Sequence, residues 1–256
     1  MIKRIALTVA MVLSSTAIAE DATNNTTTNI ESLKREVAQL KRDMRVVISN
    51  QQALAEHTGL IKKNDQQAVQ IGGSATLGKD TAKVVLMEFT DLHCPFCKKF
   101  NNETLPTIKE TYIDTGKVLF VGKHYPITAL HKNAYIAAKA LECARAQKIE
   151  DEQHYTTAKN WLFNQGSRLY TKELNIFANA LNIEQKAFNG CMESESIESA
   201  IDADIALVKQ LGLNSTPAFA IGLKEGATIT KWKTFTGAKG IDNFTDAIEQ
   251  FLAIKQ

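Results

Sequence analysis

The stretch Val84-Val85-Leu86-Met87-Glu88-Phe89-Thr90-Asp91-Leu92-His93-Cys94-Pro95-Phe96-Cys97 decides the fold. Its first half is apolar and rich in β-branched and aromatic residues, the composition of a buried strand. A short polar turn follows. Cys94-Pro95-Phe96-Cys97 then opens an amphipathic stretch that continues with Lys98-Lys99-Phe100. Strand, turn and helix start in this order set Cys94 against the positive end of a helix dipole and unpaired backbone N–H groups. A cysteine so placed loses its proton readily and becomes a nucleophile. Cys97, one helical turn on, is placed to close a disulfide with it. The pair reads as a thiol–disulfide exchange site. As a structural staple it would be poor, because so short a step closes almost no loop entropy.

Outward from this centre, Cys94 to about Asp114 reads as a helix, bent or interrupted near Pro106. Lys117 to Tyr125 reads as a second strand, which makes a β-α-β unit with parallel strands and a right-handed crossover. From about Leu130 to Leu211 the pattern is nearly all helical. Leu130, Ala134, Ala137, Ala138 and Leu141 form one apolar face, and Ile197, Ile201, Ile205 and Val208 another. Gly190 and Gly212 read as helix ends. Strand character returns at Ala218-Phe219-Ala220-Ile221. Lys224-Glu225-Gly226 then reads as a turn and Thr228 to Thr236 as the hairpin partner. A last helix carries Phe244, Ile248, Phe251 and Leu252 on one side. Gly73 to Asp80 nearly spells a phosphate-binding loop, but Asp80 stands where a Ser or Thr must hold magnesium, and a strand follows where a helix is needed.

The N-terminal quarter has a different character. Residues 1–19 read as a secretory signal: Lys3 and Arg4, a short apolar run from Ile5 to Leu13, and Ala17-Ile18-Ala19 as a small-x-small cleavage pattern. Residues 20–29 are polar and low in complexity, a disordered spacer. Ile30, Leu33, Val37, Leu40, Met44, Val47, Gln51 and Leu54 then alternate three and four residues apart, an a/d heptad seam. Glu36 and Lys41 fall at g and the following e, where opposite charges pair between parallel helices. Residues 30–54 are thus expected to make a homodimer or homotrimer, with an amphipathic helix packed on its own domain as the alternative. Lys62 to Gln67 reads as a hinge. The expected division is 1–19 signal, 20–29 spacer, 30–62 oligomerisation helix and linker, 63–128 with 213–256 as one domain, and 129–212 as a helical insertion.

Charge and cysteines bound the function. Without Met1–Ala19 the 30 basic residues fall to 28, against 28 acidic, so no global basic field points to nucleic acid. The chain has 4 cysteines, an even number suited to a compartment where disulfides persist. With Cys94 and Cys97 paired locally, Cys143 and Cys191 remain as a structural disulfide. That bridge closes a loop of about 50 residues and contributes about 4 kcal/mol by chain entropy. Two free, buried thiols are the alternative.

The β-α-β unit with C-x-x-C at its first helix, followed by a hairpin and a helix, resembles the thioredoxin fold. The long helical insertion makes it similar to DsbA-like periplasmic thiol–disulfide oxidoreductases over about residues 70–256. Thr216-Pro217 sits where that family has its cis-proline. Glu88, six residues before Cys94, matches the family's buried acid, and Lys123 a buried lysine near it. The resemblance implies Cys94 as the attacking sulfur and Cys97 as the resolving one. It implies Thr216 and Pro217 beside the dithiol, and Glu88 with Lys123 as a proton relay beneath Cys97. His93 is a helper of the thiolate when protonated, or an exposed loop residue.

The chain departs from the best-known DsbA proteins, whose dipeptide is Pro-His where this one has Pro95-Phe96; without that imidazole a strongly oxidising potential is not implied. Threonine before the cis-proline, and the heptads, are more similar to DsbA-like isomerases and copper-tolerance relatives. The expected fold is α/β: a thioredoxin fold with an all-helical insertion, preceded by a coiled-coil-like helix. The expected activity is forming or isomerising disulfides in exported client proteins in the periplasm, with no cofactor. The alternatives are a dedicated oxidase reoxidised by a membrane partner, and a copper-binding thiol protein. Soft thiolates suit Cu(I), whereas two cysteines fall short of a closed zinc site.

Overall fold

The computed structural model describes residues 67–254, except 74, 149–150, 166–168 and 170, together with scattered positions of a helix between residues 29 and 47. The expected signal, the spacer before residue 29, the end of the seam at Gln51 and Leu54, and the hinge before Gln67 lie outside the described residues. The chain divides into two compact units, Met1–Lys62 and Lys63–Gln256.

In the first unit every described position between 29 and 47 is helical (α1). Ile30, Leu33, Val37, Leu40, Met44 and Val47 are each 47–64% exposed. The described a/d residues of the seam therefore face solvent in the single chain. Gln39 donates to Asp43 across one turn, at 2.9 Å.

The second unit is built on one sheet. Among the described residues it has six strands: β1 (Val69–Gln70), β2 (Ala75–Leu77), β3 (Val84–Thr90), β4 (Val118–His124), β5 (Ala218–Glu225) and β6 (Thr228–Thr236), in the order β1-β6-β5-β3-β4-β2. β3 and β4 run parallel, and β5 pairs antiparallel with both β3 and β6. Every residue of β3 and β4 is buried, the mark of central strands covered on both faces. Alternate residues therefore feed two apolar layers. Leu86 and Phe120 join Phe100, Phe219 and Phe244 on one face. Val85, Met87, Phe89 and Val121 join Val208, Leu211 and Leu213 on the other. The thioredoxin fold with a helical insertion is thus borne out. β1 and β2 were not expected, being too short to carry a period.

The helix after β3 changes pitch along its length. α2 (Pro95–Lys99) runs into a π-helical turn (Phe100–Thr104), then α3 (Leu105–Ile108) and a second π turn (Lys109–Ile113). Pro106 lies in the first turn of α3. The wide turn before it accommodates a residue that has no N–H to donate and would crowd the preceding carbonyl. Five helices make the insertion: α4 (Ala134–Gln147), α5 (Glu152–Gln165), α6 (Thr171–Ala180), α7 (Gln185–Met192) and α8 (Glu195–Gln210). α8 ends at Gly212, whose φ of 67° suits glycine, with Leu213 N–H donating to the Val208 carbonyl. Gly190 lies inside α7 rather than at a helix end. α9 (Ile241–Ala253) closes the fold by burying Phe244, Ile248 and Phe251. No described helix is long and apolar enough to cross a membrane.

Candidate active site

Cys94 is the N-cap of α2, with extended backbone, and Pro95 fills the first turn, where a missing N–H costs nothing. Cys97 is fully buried, and both cysteines are free thiols. The Cys94 pKa is lowered to about 5. The largest cause is a hydrogen bond from the Cys97 thiol. Burial opposes the shift, while Thr216 and the backbone N–H groups of Cys97 and Phe96 assist it. Cys97 is driven the other way, well above the ordinary thiol value. Burial is the main cause, helped by its bond to Cys94 and the negative charge of Glu88, while the Thr90 hydroxyl opposes. The two sulfurs thus have separate roles, one ionised at neutral pH and one protonated.

Thr216 and Pro217 are joined by a cis peptide bond just before β5. When protonated, the Cys94 thiol donates to the Thr216 carbonyl, Sγ···O 3.6 Å; the contact that lowers its pKa is with the Thr216 side chain. β3 and β5 are neighbours, so the end of one strand and the start of the other bring the two segments together.

Glu88 and Lys123 do not form the expected relay. In the parallel register Glu88 lies opposite Gly122, and Lys123 opposite Phe89. Side chains alternate along a strand, so Lys123 projects from the other face of the sheet. There its ammonium pairs with Asp204 of α8 at 2.8 Å, and Asp204 also accepts from the His124 N–H at 2.9 Å. Glu88 is paired instead with Lys159 of α5, Nζ···Oε2 2.7 Å. Both side chains are buried, 0% and 2% exposed. Lys159 also lies over the rings of Phe120 and Phe163, at 5.4 and 5.9 Å. The other Glu88 oxygen, Oε1, is buried with no hydrogen-bond partner. Gly122 makes room for α5, because a Cβ there would collide with the Tyr155 hydroxyl. Lys159 was missed because its role depends on how the insertion docks. The available signal was a lysine next to the face made by Tyr155, Ala158 and Leu162, all buried.

Asp91 is a second group the sequence reading passed over. It is 1% exposed. Its backbone N–H donates to the Cys97 sulfur at 3.4 Å. One carboxylate oxygen accepts from the His93 N–H at 2.8 Å, the other from the Ile127 N–H at 2.8 Å and from His131 Nδ1 at 2.9 Å. His93 is not an exposed loop residue. Both its ring nitrogens are buried without partners, and burial lowers its pKa, with Asp91 opposing. That is a neutral imidazole rather than a cation beside the thiolate. Phe96, in contrast, is 62% exposed and Leu130 73%.

Cys143 of α4 and Cys191 of α7 are joined in a disulfide, with Cα atoms 5.7 Å apart. Cys143 is fully buried, among the apolar side chains between the insertion and the sheet.

A family model described as thioredoxin matches residues 70–242. The chain is 29% identical over 155 residues to the probable disulfide bond formation protein D of Bacillus anthracis, covering 56% of this chain and 67% of that protein. It is also 26% identical over 144 residues to Na(+)/H(+) antiporter NhaA 3 of Salinispora tropica; that match covers 56% of this chain and 21% of the antiporter. Among solved structures, alpha-DsbA1 of Wolbachia pipientis superposes with a TM-score of 0.60 at 27% identity. The alignment covers 72% of this chain and 92% of that one.

Proposed function

The chain belongs to the thioredoxin family, and we propose that it is a DsbA-like thiol–disulfide oxidoreductase that forms and isomerises disulfides in exported proteins outside the cytoplasm. One observation carries this reading: two adjacent sulfurs with opposed proton affinities, the outer held near a pKa of about 5 at a helix start. In the reducing direction the Cys94 thiolate attacks a client disulfide, and one client sulfur leaves as a thiolate. Cys97 then gives up its proton and attacks the Cys94 sulfur. The Cys94–Cys97 bond forms, the second client thiolate leaves, and two electrons have passed to the client. Oxidation of a client is the reverse. Glu88, whose Oε1 is unpaired and whose negative charge acts on Cys97, is the base for the Cys97 proton. The Thr216 segment is where an extended client backbone lies beside the dithiol, flanked by the exposed Phe96.

The low pKa of Cys94 favours the donating direction. A thiolate stabilised in the reduced protein makes the disulfide more oxidising. Here hydrogen bonds from Cys97, Thr216 and the helix start supply that stabilisation without an imidazole. A membrane redox partner would then reoxidise the pair. The solvent-facing seam of α1 supports a homodimer or homotrimer, which gathers several sites as isomerisation of a misfolded client requires. The Cys143–Cys191 disulfide fits an oxidising compartment.

The test is reactivation of a scrambled-disulfide ribonuclease by the protein from residue 20 and by a version starting at Gln67. If only the longer form reactivates it, α1 makes an isomerase. If neither does while both oxidise a reduced client equally, the protein is a dedicated oxidase. If neither exchanges disulfides at all, the reading fails.

A further inference from the structure

We infer that Asp91 is a positioning residue for the resolving sulfur, its carboxylate clamped by the loop after β4 so that its backbone N–H stays on Cys97. The inference deepens the thiol-exchange reading and rests on it.

Asp91 stands between the end of β3 and Cys94, at the carboxyl end of two adjacent parallel strands. A carboxylate this buried is costly unless hydrogen-bonded. Its three donors come from both sides: His93 from its own loop, and Ile127 and His131 from the loop between β4 and α4. Pairing of the two loops begins just before, where Tyr125 N–H donates to the Thr90 carbonyl at 2.8 Å. The side chain is therefore fixed at both oxygens, and with it the direction of the residue's own N–H. That N–H is the group aimed at Cys97 Sγ.

This matters because Cys97 has little else to favour its charged form. Burial, Cys94 and Glu88 all oppose ionisation, and the Thr90 hydroxyl assists it. An N–H donated to a sulfur strengthens as the sulfur becomes a thiolate. In resolution Cys97 attacks as a thiolate, the Cys94–client bond breaks and the client sulfur leaves and takes up a proton. In the reverse direction Cys97 is the leaving thiolate. The Asp91 N–H serves both, because it is aimed at Cys97, the sulfur that changes charge in these steps. His131 and the exposed Leu130 are neighbours in the clamping loop, so the clamp joins a surface that clients can touch to the buried sulfur.

The test separates the two chemical steps in the full-length exported protein. Rapid acid quenching and mass spectrometry follow the mixed disulfide formed at Cys94 with a peptide bearing one disulfide. His131→Ala and Asp91→Asn are expected to slow resolution roughly fivefold, the worth of one hydrogen bond. Formation of the mixed disulfide should stay within about twofold. The double variant should be no slower than Asp91→Asn alone, since both changes break one clamp. If Asp91→Asn does not fold, His131→Ala carries the test, because two backbone donors still hold the carboxylate. Slowing of both steps together, or normal resolution in the variants, overturns the role of Asp91. A wild-type protein that forms no mixed disulfide overturns the oxidoreductase reading itself.

Discussion

Lys159 and Glu88 are 71 residues apart in sequence and 2.7 Å apart in the fold. The ammonium comes from the helical insertion and the carboxylate from the central strand, where its charge acts on Cys97. The insertion therefore contributes a charge to the redox centre as well as covering it.

Breaking this pair should be expensive. Lys159→Met leaves a fully buried carboxylate without its cation and is expected to cost about 3–5 kcal/mol. Adding Glu88→Gln removes the stranded charge, so the double variant should recover much of the loss. Urea unfolding of the four proteins measures the coupling. Additive losses would mean that the two groups do not depend on one another.

The pH dependence of the reduced protein has a definite sign. The Cys94 pKa is about 5 in the folded protein against an ordinary thiol value of 9.0. A depressed acid contributes stability that is fully present above the unfolded value and lost as pH falls through the folded one. The reduced form should therefore lose stability relative to the disulfide form from about pH 9 down to about pH 5. Melting of both forms across that range measures the gap. Alkylation of Cys94 should fall to half near pH 5, and the value belongs to the dithiol as a pair.

The site for α5 on β4 predicts a specific suppression. Gly122→Ala puts a methyl against the Tyr155 hydroxyl, and overpacking of this kind costs about 1–3 kcal/mol. Because the colliding atom is the hydroxyl oxygen, Tyr155→Phe in the same background should restore part of the stability. A loss unaffected by Tyr155→Phe would place the strain elsewhere.

Removing the Cys143–Cys191 bridge by a double alanine substitution should cost about 2–5 kcal/mol, since its partners are 48 residues apart. Thiol labelling of the denatured, unreduced protein should find neither cysteine. Labelling at Cys143 would show that the bridge does not form.

If α1 associates through its exposed seam, Leu33→Glu with Leu40→Glu should convert an oligomer to a monomer. Light scattering at micromolar concentration reads this directly. A wild-type monomer mass would remove the stalk from the proposal.

Much of this was legible in the chain because it is local. β3 and β5 carry mostly apolar runs at residues 84–89 and 218–221, and Cys94 and Cys97 follow close on the strand end that presents them. β6 was readable to its bounds as the hairpin partner. The expected turn at Lys224-Glu225-Gly226 is shorter in the structure: β5 runs on to Glu225, and Gly226 turns the chain with a φ of 58°. What escaped was long-range or very short. β1 and β2, of two and three residues, are too brief for a period to register. Lys159 reaches Glu88 only through the docking of α5. The face on which Lys123 lies is set by register, a tertiary property: in the parallel pair an offset of one residue from Gly122, the partner of Glu88, turns the side chain to the opposite face. Asp91 looked like a turn residue because its three donors are set by tertiary structure.

The two brief strands lie at the two margins of the sheet. β1 covers only Thr228 and Ile229 of β6. Farther along β6 the pairing with β5 slips around Gly222, where Lys231 takes a φ of 45°. On the proposed function the protein would work among unfolded chains, whose extended backbone seeks a partner. A long, flat, open margin would recruit those chains as additional strands and seed aggregates. Short outer strands, a bulge and the lysines of β6 withhold that template, so that on the proposed function clients would be held at the dithiol and released rather than incorporated.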